Sequence, residues 1–255
     1  MLKKECHYEF RKQMLTLHEK NIRDFKIKPL EDEIEIFNGF TIYIPYSAGD
    51  VLLTAVRDFI DFLFISMRVS AMLMQGPTQA GKNQLAVFTK NERHLDLGNA
   101  DGYRGYRIDS GLGIEICGHD ERGAAQALYY LEYEMIVRRA PFIKKGTITK
   151  KTLFSPQMVH SGYELDHYPN EHLAAIAREG RDAILVFTKD VHITPVGFLD
   201  FNELIYRAER YSIDVYAYRY IKSSFQPEDA GSDAYYEKTY GAIFQNCTNI
   251  NGFIF

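Results

Sequence analysis

The chain has 255 residues, a length that fits one large or two smaller domains. Its 46% hydrophobic and 25% charged content is that of a core-forming globular protein, and a formal net charge of -4 gives no basic footprint for nucleic acid. Aromatic residues make up 14% without a single Trp, which excludes a Trp-based sugar platform and leaves Tyr and Phe for stacking on sugar faces.

Cys6, Cys117 and Cys247 are widely spaced and odd in number, so they form neither a disulfide framework nor a metal set. Residues 1–20 hold no apolar run of signal length. The longest apolar stretch, Val51 to Met74, is interrupted by Arg57, Asp58, Asp61 and Arg68. It reads as an amphipathic core helix, not a membrane span. A cytoplasmic protein without membrane, nucleic-acid or cofactor partners is the expectation.

Residues 1–30 are charged, with Phe10, Met14, Leu17 and Ile22 at loosely helical spacing, and Pro29 closes the segment. Between Glu33 and Tyr46, Asn38-Gly39 separates two alternating apolar runs and predicts a type I′ hairpin. A helix from about Gly49 to Met74 is expected next. Gly76 to Asn83 comes close to a phosphate-binding loop, but position 83 lacks the hydroxyl that would hold a metal, and a strand is expected after it instead of a helix. A plain turn is the better reading. Tyr106 to Asp109 and Gly113 to Cys117 predict a strand pair, and Gly111-Leu112-Gly113 lacks the third glycine of a dinucleotide fingerprint. From His119-Asp120, the stripe Ala124, Leu128, Leu131 and Met135 marks a helix ending at Arg138-Arg139.

Beyond Gly146 to Thr152 the pattern becomes strand, loop, helix, repeated. Asn170 is the expected cap of a helix carrying Leu173, Ile176 and Ala177 and ending at Gly180. Ala183 to Phe187 is a continuous apolar run, as for a parallel strand buried on both faces. Asp200 to Glu203 is a capping box opening a second helix, Asp214 to Ile221 a third strand, Ala234 to Cys247 a third helix, and Gly252 to Phe255 a fourth strand.

The expected fold class is therefore an α+β N-terminal domain, an antiparallel sheet with helices on one face, followed by an α/β part that is a partial TIM-type (β/α) barrel reaching its fourth strand. The expected domains are residues 1–30 (helical segment), 31–150 (α+β) and 151–255 (first half of the barrel). Chemistry in such barrels collects at the carboxyl ends of the strands. Those ends offer His160, Tyr163, Glu164 and Asp166, then Lys189 and Asp190 with His192, then Arg219 and Tyr220 with Lys222. Mixed cations, carboxylates and aromatics suit a polyhydroxylated ligand. Each has a plainer reading too. Glu164, Asp166 and His192 could be solvated loop residues, Lys189-Asp190 an ion pair, His160 a core histidine. Arg219 and Tyr220 point to opposite faces of one strand.

The run Gly105-Tyr106-Arg107-Ile108-Asp109, then Ile114-Glu115-Ile116 with Gly118, then Arg122-Gly123-Ala124-Ala125, resembles the β-N-acetylhexosaminidase-like domain that precedes many glycoside hydrolase barrels. Phe154 to His160, Pro169 to Leu173 and Gly180 to Ile184 resemble the entry into such a barrel and its first helix and second strand. The resemblance implies hydrolysis of O-glycosyl bonds in glycans carrying acetamido or uronic sugars. Two departures stand out. The family's sugar-holding arginine on the first barrel strand is replaced by Gln157-Met158. Its acidic pair belongs at the end of the fourth strand, and no residue up to Phe255 matches it, so no catalytic residue is assigned. The alternative is a non-catalytic carbohydrate-binding or scaffold fragment. Open outer strands of a half-barrel also predict self-association.

Overall fold

A computed structural model of the chain describes residues 9, 12, 15–160, 167–219 and 225–254. The chain divides into two compact units, Met1–Ser155 and Pro156–Phe255.

Unit 1 contains β1 (Glu33–Glu35), β2 (Phe40–Ile44), α1 (Asp50–Ile65), β3 (Ala71–Gln75), β4 (Gln84–Thr89), β5 (Tyr106–Ser110), β6 (Ile114–Gly118), α2 (Glu121–Arg138), β7 (Phe142–Lys144) and β8 (Gly146–Lys150). Six strands form one sheet in the order β3-β2-β4-β6-β5-β8, and β1 pairs separately with β7. The sheet is mixed, not antiparallel as expected. Strand β2 runs parallel to β3 and β4, and β4 parallel to β6, while β5 is antiparallel to β6 and β8. Parallel neighbours need a crossover, and α1 supplies the one between β2 and β3.

Two local expectations fail. Asn38-Gly39 does not close a hairpin, because β1 pairs antiparallel with β7. Only Gly39 takes a positive φ, +89°, and Phe40 N–H donates to Phe37 O at 3.0 Å. That is a turn with glycine at its third position, as type II requires. The Asn38 side chain instead accepts from Ser70 N–H at 2.9 Å. Helix α1 stops at Ile65 and not near Met74. Arg68 turns left-handed at φ 58°, and Val69 N–H donates to Leu63 O at 2.9 Å. Beyond it the apolar residues alternate: Ala71 and Leu73 are half-buried, Met72 and Met74 exposed. Alternation belongs to a strand.

Helix α1 buries Leu52, Val56, Phe59, Phe62 and Leu63, and α2 buries Ala124, Leu128, Leu131 and Met135. The two helices pack on each other over the sheet. The opposite face carries a second, smaller core of Ala86, Phe88, Leu97, Ala100 and Cys117. Asp120 caps α2 by accepting from Gly123 N–H at 2.6 Å. The helix start lies against the entry to β5: a Cβ on Gly123 would come 2.2 Å from Gly105 O, so only glycine permits this approach.

Unit 2 contains β9 (Met158–His160), α3 (Asn170–Arg178), β10 (Ala183–Phe187), a two-residue pair β11 (Ile193–Thr194) and β12 (Gly197–Phe198), α4 (Phe201–Arg210), β13 (Asp214–Tyr218), α5 (Ser232–Asn246) and β14 (Gly252–Ile254). Four strands form a wholly parallel sheet in the order β9-β10-β13-β14. Pro169, not Asn170, holds the N-cap position of α3. Its fixed φ already matches the approach to a helix. At the other end Gly180 takes φ 79°, its N–H donates to Ala177 O at 3.0 Å, and Arg181 N–H donates to Ile176 O at 3.3 Å. This is a Schellman ending. Asp200 caps α4, accepting from the N–H groups of Asn202 and Glu203 at 3.0 and 3.2 Å.

Strand β10 is not buried on both faces. Ile184 and Val186 are buried on one, with Val215 and Ala217 beside them in register. Leu185 and Phe187 are only half-buried, and their register partners Tyr216 and Tyr218 likewise. The helices cover the first face; Phe253 on β14, for instance, packs against Tyr240 and Phe244 of α5. No described helix is long and apolar enough to cross a membrane.

Candidate carbohydrate site

The half-open face of the parallel sheet ends in a row of rings. His160 closes β9, Phe187 closes β10 and Tyr218 closes β13. The His160 and Phe187 rings meet edge to face at 5.9 Å, and Phe187 meets Tyr218 in the same way at 5.0 Å. Register explains the row. His160 pairs with Leu185, two residues before Phe187 on the same face, and Phe187 pairs directly with Tyr218. Edge-to-face packing fixes these rings against one another.

Lys189 and Asp190 follow β10 and are exposed. Their backbone turns back at once: Lys189 N–H donates to Ile193 O at 2.7 Å, and Ile193 N–H to Asp190 O at 3.1 Å. The Asp190 carboxylate accepts from Val191 N–H at 2.8 Å. Among the described residues no ion pair joins Lys189 to Asp190. Thr188 anchors the same bend, its hydroxyl donating to Asp190 O at 2.7 Å.

Two other candidates take structural posts. His192 Nδ1 accepts from Phe201 N–H at 3.1 Å, and its ring lies beside Phe198 and Phe201. It therefore caps the start of α4. Arg219 shares the parity of Val215 and Ala217, and its guanidinium donates to Thr239 O inside α5 at 3.3 Å. It turns to the helix side of the sheet, away from the ring row. Tyr163, Glu164, Asp166, Tyr220 and Lys222 lie outside the described residues.

Phe187 and Tyr218 were not singled out by sequence reasoning. The signal was available: in two neighbouring strands, an aromatic residue sits at the last position before the strand gives way to polar residues. Among the described residues no three His, Cys, Asp or Glu side chains gather as a metal set. Two described carboxylates of this sheet are also far apart along it, since Asp214 opens β13 while Asp190 lies past the end of β10.

Unit 1 has a separate cleft at the β5–β6 turn, lined by Asp109, Ser110, Leu112, Glu115 and Thr147. Its charges are engaged within the chain. Arg107 forks onto Asp109 at 2.8 and 3.0 Å, the Thr147 hydroxyl donates to Asp109 at 2.6 Å, and Arg93 pairs with Glu115. The Thr147 bond ties β8 to β5, and the Arg93 pair ties the loop after β4 to β6.

No family model and no curated protein matches the chain in sequence. In structure it is similar to the glycoside hydrolase CpGH84B, with a TM-score of 0.58 and 14% identity over 91% of this chain and 43% of that one. It is similar to CpGH84D, with a TM-score of 0.59 and 9% identity over 92% and 44%. A GH138 enzyme targeting pectin rhamnogalacturonan II is a third neighbour, with a TM-score of 0.55 and 13% identity over 83% and 30%. The chain thus has a glycoside hydrolase-like fold of mixed α/β type. It spans less than half the length of these neighbours.

Proposed function

We propose that the chain supplies substrate-facing strands of a glycoside hydrolase-like protein that cleaves O-glycosyl bonds in glycans carrying acetamido or uronic sugars. In this reading unit 1 is of the β-N-acetylhexosaminidase-like type and the parallel sheet of unit 2 is part of a β/α barrel, its half-open face lining the barrel interior. The observation that carries the reading is the ring row His160, Phe187 and Tyr218 at the carboxyl ends of parallel strands, beside the exposed Lys189 and Asp190. Rings accept the apolar face of a sugar, and a lysine and a carboxylate supply the donor and acceptor its hydroxyls need. Cys117 and Cys247 are buried free thiols, which supports a reducing compartment and a cytoplasmic location.

Titrating the chain with a simple N-acetylhexosamine glycoside and with a uronic acid, followed by calorimetry, tests the binding step. A dissociation constant near 1 mM or tighter is expected for one of them, weakened about threefold to tenfold by Phe187→Ala, as loss of a stacking ring implies. No heat at about 10 mM of either sugar overturns it.

A second reading is non-catalytic carbohydrate binding. It is favoured by Gln157-Met158 at the head of β9, where the family resembled carries a sugar-holding arginine. Binding without release of an aryl leaving group would select this reading.

A further inference from the structure

We propose that two copies of this chain pair through β3, antiparallel across a two-fold axis at Leu73, joining their six-stranded sheets. The proposal is independent of sugar binding. It also differs from the self-association predicted at the half-barrel edges, which would run through β9 and β14 of unit 2.

The two edges of the unit 1 sheet are built differently. At one edge, β8 ends in Lys150 and is flanked by Lys144, Lys145 and Lys151, and Lys150 lies over the Tyr130 ring at 3.8 Å. Lysines of this kind block pairing with another chain. At the other edge, β3 reads Ala71-Met72-Leu73-Met74-Gln75, and no charged residue occurs between Arg68 and Lys82. Among the described residues, strand β3 pairs with β2 alone. Met72 is 54% and Met74 49% exposed, large values for apolar side chains on a five-residue strand.

The segment is also self-complementary. Antiparallel pairing centred on Leu73 sets Leu73 opposite its own copy, Met72 opposite the other copy's Met74, and Ala71 opposite the other copy's Gln75. The four methionines then meet on one face, where their flexible thioethers can fill an irregular gap. Hydrogen-bond parity agrees. Gly76 N–H donates to Ile44 O, which turns the even-numbered backbone groups toward β2 and leaves those of Ala71, Leu73 and Gln75 for the open edge. Leu73 would exchange both bonds with its copy, and Met72 and Met74 would form the closer, non-bonded pairs.

Light scattering of the 255-residue chain from about 1 to 100 μM is the first experiment, with twice the 29.5 kDa chain mass expected at the upper end. Met72→Lys with Met74→Lys places charge at two positions already exposed, so the circular dichroism spectrum should be unchanged. The dissociation constant should rise at least about tenfold. Register is read by cysteines. A mixture of Met72→Cys and Met74→Cys chains should cross-link on oxidation, since directly opposed non-bonded pairs stand about 4.5 Å apart at Cα. Met72→Cys alone should not, because diagonal neighbours lie about 7–8 Å apart. A chain that scatters as a monomer throughout, a lysine variant that still dimerises, or cross-linking by Met72→Cys alone would each overturn the proposal.

Discussion

The two units solve the same problem, how to bury a sheet, to different degrees. In unit 1 helices α1 and α2 cover one face and the cluster around Phe88, Leu97 and Cys117 covers the other, so β4 is buried from Leu85 to Thr89. In unit 2 the helices bury Ile184, Val186, Val215 and Ala217, while Leu185, Phe187, Tyr216 and Tyr218 stay half-open. Wholly parallel sheets are almost always covered on both faces. A sheet covered on one face keeps part of its apolar surface available for a ligand or for further strands. Unit 1 is finished as a scaffold, and unit 2 holds its candidate chemistry on the face it leaves uncovered.

The largest expected effect tests that asymmetry within one strand. Ile184→Ala should cost about 2–5 kcal/mol, as for a fully enclosed side chain, and Leu185→Ala next to it about 1 kcal/mol, in urea unfolding followed by circular dichroism. Equal losses would mean that the second face is closed. Next in size are two glycine changes of opposite sign. Gly123→Ala in unit 1 must push against the Gly105 carbonyl and should cost about 1–3 kcal/mol. Gly241→Ala in α5 of unit 2 meets only Glu237 Cγ at 3.7 Å, and should stabilise by about 0.8–1 kcal/mol through helix propensity. The caps Asp120 and Asp200 should each contribute about 1 kcal/mol against Ala, which would show that the units are capped alike even though they are covered differently.

The smallest effect separates the units by pH. Burial holds the His172 imidazole in unit 2 below its usual 6.5. The unfolded chain therefore takes up the proton first, so this contribution to stability is complete above pH 6.5 and is lost as pH falls below it. In unit 1 the hydrogen bond from Arg138 holds the Glu33 carboxyl below its usual 4.5. That contribution is complete above pH 4.5 and is lost as pH falls through the folded value. Acid should soften unit 2 before unit 1 in a pH series of thermal melts, and His172→Phe should remove the early loss.

Features that depend on one or two neighbouring residues were the legible ones. Asp120 and Asp200 cap the helices their sequence positions announce, and Gly180 ends α3. Where a choice rests on distant partners, local pattern misled. Asn38-Gly39 has the composition of a hairpin, yet β1 finds β7 some hundred residues on. Residues Ala71 to Gln75 extend an apolar run that begins in α1, and only pairing with β2 makes them a strand. His160, Lys189 and Asp190 were named from their expected place at strand ends, and the structure puts all three at such ends. Phe187 and Tyr218 were missed because a five-residue apolar run looks the same whether one or both of its faces are covered. Arg219 was named from its position, but the parity that turns it to α5 is set by β13 pairing with β10.

The three-residue ladder of β1 and β7 has a mechanical consequence. Glu33 lies opposite Lys144, and Lys145 N–H donates to Asp32 O at 2.7 Å, so the chain enters and leaves the pair at the same end. Tension applied between residue 30 and residue 146 would open this ladder like a zipper, one rung at a time, instead of shearing all rungs together. The fork from Arg138 to Glu33, at 2.8 and 3.2 Å, holds that first rung from the side. A force ramp should therefore show a low first step, lower still in Arg138→Ala.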